Sequence, residues 1–259
     1  MSKVDYTYQD IVNSLTEIGL EKGDSIFSHA NLGFFGKLEH GNDKNSYCKA
    51  FKEAIFDVIG SEGTLVVPTF SYSYCWNNIY NKLETPGTCG IFSEYIRKNS
   101  NSLRSDDPNF SYTAIGKNAE YFTKNCPKNP FGKDSFWERF LSKNGIICNL
   151  NFDAAATLTH YVEREIDVSY RYDKPFKGKS MIDGKLTEQI FYHYVRNDDN
   201  PNVYPDFTKF DKKAKETGLA RVTNLGRGQI VSITVKKSIE LIKKEIINNS
   251  NFLIKGSLD

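Results

Sequence analysis

The stretch Thr157-Leu158-Thr159-His160-Tyr161-Val162-Glu163 sets an imidazole and a carboxylate three residues apart. In a helix the two share one face. A neutral imidazole steadied by a carboxylate can take a proton from an amine or a hydroxyl near neutral pH. His160 is one of four histidines, and Ala154-Ala155-Ala156 leads directly into its segment. One reading of the pair is a general base, His160, oriented by Glu163. The competing reading is a partly buried, hydrogen-bonded histidine at a helix start. An oxyanion formed nearby would need donors. Thr69, at the end of an apolar run, and the backbone N–H groups of residues 29–36 are the candidates.

The elements that must position these groups follow from periodicity. Residues 6–20 carry Ile11, Val12, Leu15, Ile18 and Leu20 at helical spacing. Residues 25–29 read as a short strand running into a small-residue loop, 30–36. A second helix spans 46–59, with Phe51, Ala54, Ile55 and Val58 inward and Gly60 as its stop. Residues 63–70 are a continuous apolar strand ending at Pro68, as suits a buried parallel strand. Strand, helix and strand within about 45 residues make a βαβ unit. Residues 90–98 and 131–141 read as helices, and 145–150 as another buried strand. The strands at 64–68 and 146–150 each hand the chain to a polar cluster at their C-terminal ends, the edge where open α/β sheets bind ligands. Further on come a strand pair at 178–195 around Ile182-Asp183-Gly184, a helix at 206–217, strands at 219–233 around Gly226-Arg227-Gly228, and a closing helix at 234–247. With no repeat and no linker, residues 1–259 read as one domain. The fold class is α/β: a mixed, largely parallel central sheet flanked by helices, with a small C-terminal strand and helix extension.

Composition narrows the functions. A net charge of +2 supplies no field for nucleic acid. No segment approaches the ~20 apolar residues of a membrane span. Met1-Ser2-Lys3-Val4-Asp5 lacks an apolar signal region, so a cytoplasmic location is expected. The five cysteines, at 48, 75, 89, 126 and 148, are odd in number, widely spaced and without a CxxC pair. They read as reduced structural thiols, with no disulfide framework and no metal site. Aromatic residues reach 14%, enough to line a pocket for a flat or sugar-like ligand as well as a core.

Taken in order, the segments resemble the aminoglycoside 3-N-acetyltransferase, or antibiotic N-acetyltransferase, family. The likeness runs over nearly the whole chain. It begins at Gly19-Leu20-Glu21-Lys22-Gly23-Asp24 and Phe27-Ser28-His29-Ala30-Asn31-Leu32-Gly33-Phe34-Phe35-Gly36. It continues through Gly63-Thr64-Leu65-Val66-Val67-Pro68-Thr69-Phe70 and Gly90-Ile91-Phe92-Ser93-Glu94-Tyr95-Ile96-Arg97. Leu103-Arg104-Ser105-Asp106-Asp107-Pro108-Asn109-Phe110-Ser111-Tyr112-Thr113-Ala114-Ile115-Gly116 and Pro130-Phe131-Gly132-Lys133-Asp134-Ser135 follow, before Thr157, His160 and Glu163.

The resemblance implies acetyl-CoA, or another acyl-CoA, as co-substrate, no metal, and a small-molecule amine as acceptor. No nucleic acid or membrane partner is expected, and a homodimer is allowed. It implies that His160, Glu163, Thr69 and Glu94 serve catalysis. It places His29, Ala30, Asn31, Leu32, Gly33, Arg104, Ser105, Phe131, Gly132, Ser135 and Thr157 against the cofactor. Arg104 would pair with Glu94 or touch a phosphate. Ala30 and Asn31 stand where the family has a serine pair.

Direct transfer to the amine is the simpler scheme, because Cys148 sits in an apolar run and reads as core. Asp107, beside Asp106, stands where aminoglycoside-modifying members carry a histidine. With Tyr72, Tyr74, Trp76 and Tyr80 nearby, this turns the expected acceptor toward a nucleotide-linked amino sugar for surface polysaccharide, with Tyr72, Trp76, Asp106 and Asp107 as its contacts. An aminoglycoside acceptor and a non-catalytic CoA-binding protein are the alternatives.

Overall fold

Residues 4–182 and 184–258 are described by a computed structural model. The N-terminal helix α1 (Tyr8–Glu17) starts on a reciprocal cap, the Thr7 hydroxyl on the Asp10 N–H and the Asp10 carboxylate on Thr7. Strand β1 (Ser25–Phe27), helix α2 (Lys44–Ile59) and strand β2 (Thr64–Pro68) form the expected unit, with β1 and β2 parallel. A two-residue strand β3 (Tyr80–Asn81), helix α3 (Ile91–Arg97), strands β4 (Leu103–Arg104) and β5 (Tyr112–Gly116), and helices α4 (Ala119–Thr123) and α5 (Phe136–Ser142) follow. Strand β6 (Ile146–Leu150) then leads to helix α6 (Leu158–Glu165). The hairpin strands are β7 (Arg171–Ile182) and β8 (Lys185–Arg196); Asp183 of the expected Asp-Gly turn lies outside the described residues. Helix α7 (Thr208–Glu216), strands β9 (Arg221–Leu225) and β10 (Gly228–Thr234), and helix α8 (Val235–Asn248) complete the chain.

Seven strands make the main sheet in the order β4-β5-β2-β1-β6-β10-β9. Its centre, β2-β1-β6, is parallel, and the strands flanking it are antiparallel. The C-terminal strands extend the main sheet at one edge: β10 pairs with β6, and Thr223, Val222 and Arg221 of β9 pair with β10. Strand alternation divides the core. Ile26, Leu65, Val67, Cys148 and Leu150 face α1, α2 and α3, while Phe27, Val66 and Ile147 face the aromatic layer of Phe122, Phe136, Trp137 and Phe140 with α6 and α8. Cys148 thus lies on the side of the sheet opposite α6, which bears out its reading as core.

The second sheet, β3-β7-β8, is an arm laid over the loop after β2. Its docking depends on a close approach at Gly178 of β7, where a Cβ would fall 2.4 Å from the Tyr74 ring. Tyr74 and Tyr80 pack there with Phe191, and the Tyr74 hydroxyl lies 2.7 Å from that of Ser180.

Candidate functional site

Helix α6 carries the candidate base and its carboxylate partner. His160 and Glu163 share its inner face, and His160 Nδ1 lies 2.7 Å from Glu163 Oε2. Glu163 is fully buried. Two residues that sequence reasoning missed complete its environment. The Tyr170 hydroxyl donates to Oε1 at 2.9 Å, and Arg171 Nε stands 2.7 Å from Oε2, the oxygen that His160 also uses. Arg171 is itself buried and donates through Nη1 to the Tyr194 carbonyl. Neither residue had a spacing signal. They follow α6 across a turn and meet Glu163 only because β7 folds back beside it.

The charges settle the proton's position. Burial alone would raise the Glu163 carboxyl, but His160 and Arg171 outweigh it and hold it below the ordinary carboxylate value. Burial pushes the His160 imidazole down, Arg171 pushes it further, and the Glu163 carboxylate does not offset both. The imidazole is therefore neutral at physiological pH. A neutral ring beside a carboxylate keeps its proton on Nδ1, which leaves the Nε2 lone pair as base. Phe131 meets the ring edge-on at 5.4 Å between centroids, and Phe207 packs at 5.8 Å.

Asn149 links this helix to the 29–36 loop. It is fully buried near the end of β6. Its Oδ1 accepts the His29 N–H at 3.0 Å, and its Nδ2 donates to the Asp153 and Ala155 carbonyls at 2.6 and 3.0 Å. One side chain thus fixes both the exit of β1 and the approach to α6. A signal was present: an amide inside the apolar run Ile146-Ile147-Cys148-Asn149-Leu150. The loop continues with the Asn31 N–H bonded to the Leu150 carbonyl, and a short 3₁₀ turn, Leu32–Phe35. The space where a Gly33 Cβ would stand is open, and Ala30 O lies 3.7 Å from that of Gly90, at the start of α3. His29 packs against Phe27 and Phe152, and burial takes its imidazole down to about 4.

The remaining expected residues divide. Phe131 and Ser135 are buried, and Gly132 sits near Asn129 and Arg164. The Ser135 and Thr157 hydroxyls are buried and complete no well-formed hydrogen bond, although Thr157 lies by the Tyr112 phenol.

Thr69 is a correction. Its hydroxyl is spent on Ser111 and Thr113 and its N–H on the Ser111 carbonyl, all in the interior, so it has no donor left for an oxyanion. Arg104 is a second correction. It does not meet Glu94. Its guanidinium donates to the carbonyls of Thr69, Lys82 and Thr85 and to the Ser111 hydroxyl, strapping the 82–85 loop to the sheet. Ser105 is buried beside it and accepts the Tyr112 N–H. Glu94 pairs with Arg97, one turn along α3.

Asp107 is a third correction. It is buried, and one oxygen accepts the Asn109 and Phe110 N–H groups at 2.8 Å, facing His193 at 3.5 Å. Oδ1 thus caps the turn, while Oδ2 is buried with no hydrogen-bond partner among the described residues. Asp106 is exposed, pairs with Lys82 and lines a cavity of about 780 Å³ under the hairpin with Tyr80, Lys128 and Phe191. His160 does not line that cavity. Trp76 is 70% exposed. Tyr72 is partly buried, at a backbone φ of 51° that a tyrosine rarely adopts, and packs against Phe70 and Phe110.

The model of the aminoglycoside 3-N-acetyltransferase family matches residues 27–246. The chain belongs to this family. Among its relatives, the SPbeta prophage-derived aminoglycoside N(3')-acetyltransferase-like protein YokD of Bacillus subtilis (strain 168) is 27% identical over 62% of this chain and 65% of its own length, just under two thirds. Aminoglycoside N(3)-acetyltransferase VII of Streptomyces paromomycinus is 24% identical over 75% of this chain and 72% of its own. The fold of this family member matches the crystal structure of aminoglycoside acetyltransferase AAC(3)-Xa with a TM-score of 0.81, at 19% identity over 93% of this chain and 92% of that one. It also matches AAC-IIIb in a binary structure with CoASH, with a TM-score of 0.77 at 19% identity over 92% and 97%.

Proposed function

We propose that this family member transfers the acetyl group of acetyl-CoA to an amino group of an aminoglycoside. The observation that carries the reading is the pair of half-buried His160 and buried Glu163, with the imidazole neutral and its Nε2 unassigned to any protein donor among the described contacts.

An aminoglycoside amine is largely an ammonium near neutral pH and cannot attack until it loses a proton. His160 Nε2 accepts that proton, directly or through one water. Glu163 steadies the imidazolium that forms, and Tyr170 keeps the carboxylate in place. Acetyl-CoA, when bound, would supply the activated acyl group: the new amide C–N bond forms as the C–S bond breaks, the ammonium's first proton leaves through His160 to solvent, and the second, shed by the nitrogen as the amide forms, passes through His160 to the departing thiolate. Residues that would hold it are Ala30, Asn31, Leu32 and Gly33, through backbone groups beside the open space at Gly33, with the unpartnered Thr157 hydroxyl near the base. The AAC-IIIb structure with CoASH supports the choice of co-substrate.

The acceptor follows the family rather than the nucleotide-linked amino sugar expected from sequence. That expectation leaned on Asp107 and on an aromatic loop. Asp107 caps a turn, and Tyr74 and Tyr80 are buried under the hairpin. The paromomycinus relative, named as an aminoglycoside acetyltransferase, points the other way.

Thiol release from acetyl-CoA, measured with a panel of aminoglycosides and nucleotide-linked amino sugars, tests this. Turnover with at least one aminoglycoside, and faster than with any nucleotide sugar, is expected. Turnover of nucleotide sugars alone would restore the polysaccharide reading. CoA binding without thiol release for any amine would make the chain a binding protein.

A further inference from the structure

We propose that Arg171 is a positioning residue that balances the buried Glu163 carboxylate in place of a proton on His160, so that the imidazole is left free to act as the base. The inference rests on the base role given to His160 above and goes beyond it.

The geometry is specific. Glu163 Oε2 has two cationic candidates at 2.7 Å, His160 Nδ1 and Arg171 Nε. A buried carboxylate needs one balancing positive charge. A guanidinium cannot give up its proton in a protein, whereas an imidazole can. The fixed cation therefore balances the carboxylate, and the imidazole is left neutral. Arg171 Nε also lacks a well-aligned hydrogen-bond acceptor, so its link to Glu163 is a contact between charges more than a hydrogen bond. The sharper hydrogen bond to Oε2 belongs to His160, which fixes the ring.

The charged and titratable groups around the ring agree. Glu163 faces it from α6, Arg171 from the start of β7 and Arg196 from the end of β8. Tyr170 bonds Glu163, and Tyr194 couples to it. Phe131 and Phe207 pack against the ring without adding charge. Arg171 favours the unprotonated ring, and Arg196, itself paired with Asp198 at 3.1 Å, adds a smaller push in the same direction. A lone His–Glu pair would do the reverse and raise the imidazole, so that part of the enzyme would carry a spent base near neutral pH.

The test is a titration of the His160 ring by NMR in the full chain with labelled histidine, its signal assigned by its loss in His160→Ala. In Arg171→Met the His160 pKa should rise by about one unit or more. In Arg171→Lys, which keeps the charge, it should stay near the parent value. The acidic limb of thiol release should move with the imidazole. Should Arg171→Met fail to fold, the comparison moves to Glu163→Gln with and without Arg171→Met. The double variant leaves no buried charge unpaired, and its His160 should titrate higher than in the single variant. An unmoved His160 in Arg171→Met, or in the double variant relative to the single, overturns the proposal. So does a lysine variant that behaves like the methionine one. A displaced imidazole with no amine acetylated would sink the acetyltransferase reading while upholding the coupling of Arg171 to His160.

Discussion

At the residue scale, the imidazole of His160 is expected to matter more than any other single group. His160→Ala should lower kcat by roughly 100-fold or more with CoA affinity and circular dichroism kept. Near-normal turnover in that variant would remove His160 from the mechanism. Because burial and Arg171 depress its pKa, the rate should hold as pH falls through the ordinary imidazole value of 6.5 and drop only below it. The profile is read as kcat/KM against the concentration of unprotonated amine, which removes the acceptor's own titration; a limb above 6.5 contradicts the assignment. His29 makes a separate prediction for stability. Its folded value of about 4 lies below the unfolded value of 6.5, so the unfolded chain binds the extra proton between them. Stability contributed by the neutral ring is complete above pH 6.5 and is lost as pH falls toward 4. Denaturant midpoints measured across that window should fall more steeply for the parent than for His29→Gln.

At the scale of elements, the site depends on how strand ends are tied together. Asn149 is the knot: it holds the 29–36 loop and the approach to α6 through three hydrogen bonds. Asn149→Ala would take their side-chain partner from the half-buried His29 N–H and from the Asp153 and Ala155 carbonyls, at a cost of about 2–3 kcal/mol, or a drop in Tm of roughly 5–10 °C. Calorimetry checks the size, and a shift under about 2 °C would mean that water or neighbouring backbone replaces the amide. The hairpin works differently. The turn into β7 and the strand's first residue bring Tyr170 and Arg171 to Glu163 of α6, and β8 brings His193 to Asp107. Its long strands are thus the support for both histidine–carboxylate contacts, not a peripheral decoration.

For the whole molecule, the expectation is a soluble-ligand response. A co-substrate that binds only the folded chain stabilises it by mass action. At a hundredfold excess over Kd, CoA should add about 2.7 kcal/mol and raise Tm by roughly 5–10 °C, while NAD and ATP leave it unchanged. Absence of any CoA effect at millimolar concentration would separate this chain from its family's chemistry while leaving the fold untouched. No helix among the described residues is long and apolar enough to cross a membrane.

Much of this was legible from local pattern. Apolar runs at 64–68 and 146–150 announced buried parallel strands, because a strand covered on both faces must be apolar on both. Helical spacing announced α1, α2 and α8, and their limits moved by only a few residues. The 131–141 helix was the exception: Asp134 adopts a left-handed φ of 59°, so α5 starts only at Phe136. The i,i+3 spacing of His160 and Glu163 held because a helix sets it without help from the rest of the chain. What sequence could not decide were contacts between segments far apart in the chain. Thr69 read as a free hydroxyl until β5 placed Ser111 and Thr113 against it. Arg104 and Asp107 read as groups for a ligand until their loops supplied carbonyls and N–H groups instead. Arg171 read as nothing at all. The physical reason is the same in each case: a polar side chain's role depends on which partner meets it when water is excluded, and only the packed tertiary structure determines that partner.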